Sequence, residues 1–119
     1  DESSVPPVAL GECGLDRKKG GELSRQIRFL LGHFRPARER EIPLVLHCVG
    51  CFDSLIALMD EHALPPSIVH SYAGAPELAH ELVRRGHYIG ISGAVCDPRA
   101  KRLHRTVAAL PLDRLLIET

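Results

Sequence analysis

The chain has little that would mark it for a membrane, for an extracellular space, or for a polyanion held by bulk charge. No apolar run approaches the roughly 20 residues needed to cross a bilayer, and no basic start followed by an apolar core makes a secretory leader. The opening Asp1-Glu2-Ser3-Ser4 is polar and expected to fray, and without an initiator Met it reads as a start inside a longer protein. Charge of one sign is also lacking: 15 Lys and Arg balance 15 Asp and Glu. A protein that grips nucleic acid through a basic surface carries an excess of Lys and Arg. Any attraction for a polyanion must then be local, as at a bound metal ion. The four cysteines, Cys13, Cys48, Cys51 and Cys96, are too few for a secreted disulfide scaffold. Cys48-Val49-Gly50-Cys51 is a C-x-x-C with no second pair to complete a zinc site. A redox pair would sit at a helix start after a strand, roughly where this one lies. The plainer expectation is reduced thiols in a cytoplasmic protein, with the nucleus as the other compartment considered and no obligate protein partner.

What is present is a recurring unit: a short apolar run, a small or polar residue, then an amphipathic stretch. The runs are Val8-Ala9-Leu10, Pro43 to Leu46, Ser67-Ile68-Val69, Tyr88 to Ile91, and Arg114 to Ile117. Each is short and continuously apolar, as a strand buried on both faces should be. Between them lie helical stripes: Leu23, Ile27, Leu30 and Phe34; Leu55, Leu58 and Met59; Leu78 and Leu82 behind Pro76 and before Gly86; Leu103, Val107 and Leu110 before Pro111. Asp97-Pro98 offers a cap and a first-turn proline for the last helix. Gly32 and Pro36 fall inside the first stripe, and a mid-helix proline costs about 3 kcal/mol. That helix is therefore expected to kink or break near Arg35.

Alternation of strand and helix means α/β construction on parallel strands, about five strands and four helices in one unit spanning 1–119. Two closures remain open, a doubly wound sheet or a (β/α)8 barrel. A whole barrel takes about 250 residues, so this chain would supply roughly half to five-eighths of one.

The ends of the runs carry the chemistry. Gly11-Glu12 follows the first, His47 the second, His70 the third, Ser92-Gly93 the fourth and Glu118-Thr119 the fifth. In a parallel barrel these positions share the C-terminal face, where catalytic groups from several strands meet. Singly, each residue has a plainer role: Glu12 as a charge at a loop start, His47 and His70 as core histidines bonded to backbone. Jointly, three potential ligands at strand ends point to a metal site. His33, His62, His80, His87 and His104 lack this placement and read as solvated or structural.

The strings VALGECGLD, PLVLHC, IVHSYAG, YIGISG and PLDRLLIET, in this order from Val8 to the last residue, resemble the successive motifs of the TatD-type metal-dependent deoxyribonucleases. The resemblance implies a partial TIM (β/α)8 barrel of the metal-dependent hydrolase type and divalent-metal hydrolysis of phosphodiester bonds, chiefly in DNA. It implies metal ligation by Glu12, His47 and His70, with Glu12 catalytic and able to bridge two ions. Mg, Mn or Zn would serve, and two imidazoles favour Zn or Mn. A His-x-His pair and an aspartate that the family places before and after these motifs fall outside the 119 residues, so the fragment alone is expected to be inactive. An arginine common in the family two residues after the second-strand histidine is Val49 here, which removes one expected phosphate contact. Two other functions stay open: metal-assisted hydrolysis of a C–N or ester bond in a small molecule, and a non-catalytic truncated homologue.

Overall fold

The computed structural model describes residues 5–118. Among them, β1 (Leu10–Asp16), β2 (Leu44–Val49), β3 (Ile68–Val69), β4 (Tyr88–Ile91) and β5 (Leu115–Ile117) alternate with α1 (Leu23–Arg40), α2 (Phe52–Glu61), α3 (Pro76–Arg84) and α4 (Lys101–Ala109). The strands form one five-stranded sheet in the order β1-β2-β3-β4-β5, and every neighbouring pair is parallel. A doubly wound sheet reverses its strand order at a switch point. This sheet never reverses, so the chain is a partial (β/α)8 barrel.

The apolar faces expected from the sequence build the core. Leu30 and Phe34 of α1, Leu44 and Leu46 of β2, Leu55 of α2, Val69 of β3, Leu82 of α3 and Ile89 of β4 lie in one buried cluster. At the opposite end of the strands from the site, a short polar network ties three strands together. The Leu44 N–H donates to Ser67 Oγ at 3.0 Å, and the Ser67 hydroxyl donates to the Pro65 carbonyl at 2.9 Å. The Ser67 N–H donates to His87 Nδ1 at 3.0 Å. Ser67 and His87 are both buried. Burial pushes the His87 imidazole down to about 4, with Asp60 opposing and Arg85 and Arg114 adding to the depression.

Three local expectations are corrected. The first strand begins only at Leu10, and Val8 is exposed. Of the apolar run only Leu10 pairs with β2, and the motif residues after it carry the rest of the pairing. Second, α1 passes through Pro36 without ending. The carbonyl deprived of Pro36's N–H belongs to Gly32, an exposed residue with open space where its Cβ would be. Water can satisfy that carbonyl, and no side chain crowds the proline ring. Phe34 and Ala37, both fully buried, hold the helix to the core on either side. Burying a Phe is worth roughly 1.5–3 kcal/mol, enough to offset much of the proline cost. Third, Asp97 does not cap α4, whose N-cap is Ala100. Its carboxylate instead accepts from the Arg99 N–H at 2.9 Å and pairs with the Arg99 guanidinium at 3.1 Å. This closes a turn ahead of the helix.

Candidate metal centre

Glu12, His47 and His70 converge. Each offers a ligand atom, and these atoms all lie within 4.8 Å of one another. Three strands deliver them by different local means. Glu12 sits inside β1, not after it. Gly11 pairs with Val45 and Cys13 with Leu46, so Glu12 is the extra residue of a β-bulge. A bulge re-aims a side chain, and this one turns Glu12 toward β3. His47 is the fourth residue of β2 and is paired with Gly14. A Cβ on Gly14 would lie 1.7 Å from the His47 carbonyl oxygen, so only glycine lets β1 approach this closely. His70 directly follows β3, and its N–H donates to the Leu46 carbonyl at 2.9 Å, prolonging the ladder by one residue.

His70 Nε2 lies 2.9 Å from Glu12 Oε1. The contact has the range of an ion pair but not hydrogen-bond geometry, and this buried nitrogen has no hydrogen-bond partner. An orphaned buried imidazole nitrogen is costly. Set against a half-exposed carboxylate and a second imidazole, it is what a divalent cation would satisfy. One oxygen donor and two nitrogen donors suit Zn or Mn. The residues present therefore fit a metal ion. The imidazoles of His47 and His70 stand with centroids 5.8 Å apart, tilted by 42°.

Two carboxylates that sequence reading left without a role also join the site. Asp16 Oδ2 is 3.1 Å from His47 Nε2. The other Asp16 oxygen accepts the N–H groups of Lys18 and Lys19, each at 2.9 Å. Gln26 on α1 clamps the Asp16 backbone on both sides, accepting from its N–H at 2.7 Å and donating to its carbonyl at 3.1 Å. The His47 hydrogen bond, then the Lys19 N–H, hold the Asp16 carboxyl below the usual carboxylate range. Glu118, one residue past β5, stands 3.7 Å from His70 Nδ1 and accepts from the Ser71 N–H. Ser71 adopts a left-handed conformation, φ 48°, which costs a non-glycine residue roughly 1–2 kcal/mol and aims that N–H at the carboxylate. Gly90 of β4 makes room, since a Cβ there would lie 2.7 Å from Glu118 Oε2 and 3.0 Å from His70 Cα. The signal for Asp16 was present: Glu12, Gly14 and Asp16 alternate along one strand and so share a face. Ser92 follows β4, and its hydroxyl accepts from the Ala94 N–H at 3.3 Å.

The other histidines lie elsewhere. His33 Nδ1 contacts the Phe29 carbonyl at 2.9 Å, His104 Nε2 contacts the Val95 carbonyl at 2.8 Å, and the His62 ring packs edge-on against Phe34. All four cysteines are free thiols. Cys48 and Cys51 have their sulfurs 4.0 Å apart, and burial, then Cys51, pushes the Cys48 thiol up to about 12. No helix of the described residues is long and apolar enough to cross a membrane.

Comparison with known proteins places this geometry. The "TatD related DNase" family matches residues 4–119. The chain is 37% identical over 116 residues to a protein of Cronobacter sakazakii named 3'-5' ssDNA/RNA exonuclease TatD, covering 94% of this chain and 44% of that protein. It is 34% identical to the protein of the same name in Escherichia coli, with 94% and 45% covered. Among solved structures, a TatD homologue from Escherichia coli superposes with a TM-score of 0.88 at 34% identity, covering 94% of this chain and 44% of that one. A TatD-family hydrolase from Entamoeba histolytica superposes with a TM-score of 0.80 at 25% identity, covering 94% and 38%. The chain thus spans under half the length of these relatives. By sequence and by fold, it belongs to the TatD related DNase family.

Proposed function

We propose that this protein is a metal-dependent phosphodiesterase that cleaves single-stranded nucleic acid, with Glu12, His47 and His70 as ligands of a divalent ion. The observation that carries the reading is the convergence of those three ligand atoms within 4.8 Å around a buried, orphaned His70 Nε2. The names of the relatives, ssDNA/RNA exonucleases, support the substrate class. Zn or Mn suits the donor set, and Glu12, exposed over half its side chain, has an oxygen to spare for a second ion. The free thiols support a cytoplasmic setting.

Phosphodiesters resist attack because their anionic oxygens repel a nucleophile. A bound divalent ion supplies charge neutralisation at those oxygens and acidifies water. The protein's own groups fix the geometry. Asp16, held ionised, accepts from His47 and so places a proton on Nε2, leaving Nδ1 with the lone pair. Glu118 stands 3.7 Å from His70 Nδ1, beyond hydrogen-bond range, and places a negative charge beside that ring. A hydrogen-bonded carboxylate partner such as Asp16 raises ligand basicity and locks ring orientation.

The test is hydrolysis of a single-stranded DNA oligonucleotide, with Mg, Mn or Zn, by the full-length protein that carries these residues, since the 119 residues alone are expected to be inactive. The reading predicts cleavage that EDTA abolishes and that His70→Ala removes. Cleavage that persists in His70→Ala would refute it. So would metal-dependent turnover of small amides or esters without any cleavage of nucleic acid.

A further inference from the structure

An open cavity of about 610 Å³, lined by none of Glu12, His47 and His70, has walls supplied by the three ligand-bearing strands and the segments that follow them. β1 continues into Arg17 and Lys18, β2 contributes Cys48 and Val49 and leads through Gly50 and Cys51 into the start of α2, Phe52 to Ser54, and the segment after β3 contributes Ala73 to Ala75. Arg102, from the first turn of α4, closes the far side and donates to the Ala73 carbonyl. The cavity falls in the range of roughly 300–1,000 Å³ typical of ligand sites.

Its charge is unlike that of the chain as a whole. Three cations, Arg17, Lys18 and Arg102, face one carboxylate, Asp53, although the protein is neutral overall. The ion pairs of the described residues leave all three of these cations out. All three are exposed. The starts of α2 and α3 also open onto this space, and neither has a side-chain cap. Their free N–H groups add to the attraction for an anion. No Asn or Gln, the usual readers of adenine edges, lines the cavity. Its aromatic wall is Phe52, which packs against Tyr72 and is itself buried, leaving no ring face for stacking a base.

We infer that Arg17, Lys18 and Arg102 form a phosphate subsite that holds the backbone of a single-stranded nucleic acid next to the bond being cut. The inference rests on the nuclease reading above and extends it to residues that touch no metal ligand with their side chains. Position links the two places: Arg17 follows Asp16, which holds His47, and Gly74 lies four residues past His70. A strand gripped here presents its neighbouring phosphodiester to the metal centre. Recognition through phosphate carries no base information, so binding is independent of sequence.

The experiment measures binding of fluorescein-labelled thymidine and uridine octamers to the protein by anisotropy in EDTA, across a salt series. Without metal, the triad contributes nothing and the basic subsite is read alone. The wild type is expected to bind both octamers alike, since phosphate is common to them. The charge-neutral variant Arg17→Gln/Lys18→Gln/Arg102→Gln should bind about tenfold or more weakly. Its slope of log affinity against log salt should be shallower by about 2, from about 0.7 per lost single-strand contact. These side chains are exposed, so the variant should fold, and circular dichroism checks that it does. His47→Ala should bind as wild type in EDTA while losing cleavage in metal. Wild-type protein that fails to bind, a triple variant that binds with an unchanged salt slope, or discrimination between the two octamers beyond about tenfold would overturn the subsite. Cleavage with metal would still uphold the nuclease reading. Conversely, charge-dependent binding with no metal-dependent cleavage by the full-length protein would leave the subsite standing and sink the nuclease reading.

Discussion

The imidazole rings of His47 and His70 stand 5.8 Å apart, centroid to centroid, and a carboxylate backs each one: Asp16 at 3.1 Å from His47 and Glu118 at 3.7 Å from His70. Two histidines from neighbouring parallel strands thus each stand beside their own acidic partner. This arrangement makes the outer carboxylates as testable as the ligands.

Replacing His47 or His70 by Ala should weaken Zn or Mn binding by about a hundredfold or more, since even an outer partner is worth 10–100-fold. Calorimetric titration checks this. Unchanged affinity in both variants would show that the ion sits elsewhere.

Asp16→Asn removes the charge behind His47 and keeps an oxygen for the Lys18 and Lys19 N–H groups. Metal affinity should fall roughly 10–100-fold with the melting temperature nearly unchanged. A variant that binds metal as tightly as wild type would reduce Asp16 to a turn-closing residue.

Gly90→Ala places a methyl 3.0 Å from His70 Cα and 2.7 Å from Glu118 Oε2. Glu118 can swing away, but the His70 backbone cannot. Overpacking costs typically 1–3 kcal/mol, and metal affinity should drop with it. Gly93→Ala, which meets nothing within 4 Å, is the control. Equal behaviour of the two in denaturant unfolding and metal titration would contradict the packing argument.

His87 should make the protein acid-sensitive. Its folded-state pKa, about 4, lies below the ordinary 6.5, so between those values the unfolded chain binds the proton more readily. Stability is then fully present above about pH 6.5 and lost progressively as pH falls toward 4, by up to about 3 kcal/mol. Protonation would also place a donor at Nδ1, which now accepts from Ser67. Urea unfolding at a series of pH values should show this slope, flattened in His87→Gln. A slope that survives the substitution would assign the acid sensitivity to other groups.

Cys96 is exposed, whereas burial holds the Cys48 thiol up near 12. Iodoacetamide at neutral pH should therefore label Cys96 first and Cys48 slowly. Equally rapid labelling of both, read by peptide mass, would show that the wall containing Cys48 opens readily.

Much of this architecture is legible in the residues. Pro43 to Leu46 and Tyr88 to Ile91 announce buried parallel strands because apolar side chains on both faces leave no other use for them. His47 and His70 are legible because strand ends in such a fold share one face. What escaped depended on contacts distant in sequence. The bulge that turns Glu12 toward His70 is set by the pairing of β1 with β2, which no local pattern records. The helix survives Pro36 because Phe34 and Ala37 are buried against other elements, a tertiary effect that overrides propensity. Glu118 meets His70 across 48 residues of chain because Gly90 clears the space. The basic cavity could not be seen in a net charge of zero, since Arg17 and Arg102 are brought to one rim only by the fold.

The most direct test of the metal centre is a crystal of the protein grown or soaked with Zn or Mn, with anomalous diffraction recorded at the metal edge. The account predicts an anomalous peak bounded by Glu12, His47 and His70, with nitrogen and oxygen ligands at about 2.0–2.2 Å. A peak at Cys48 and Cys51, or no peak among these three residues at saturating metal, would contradict it.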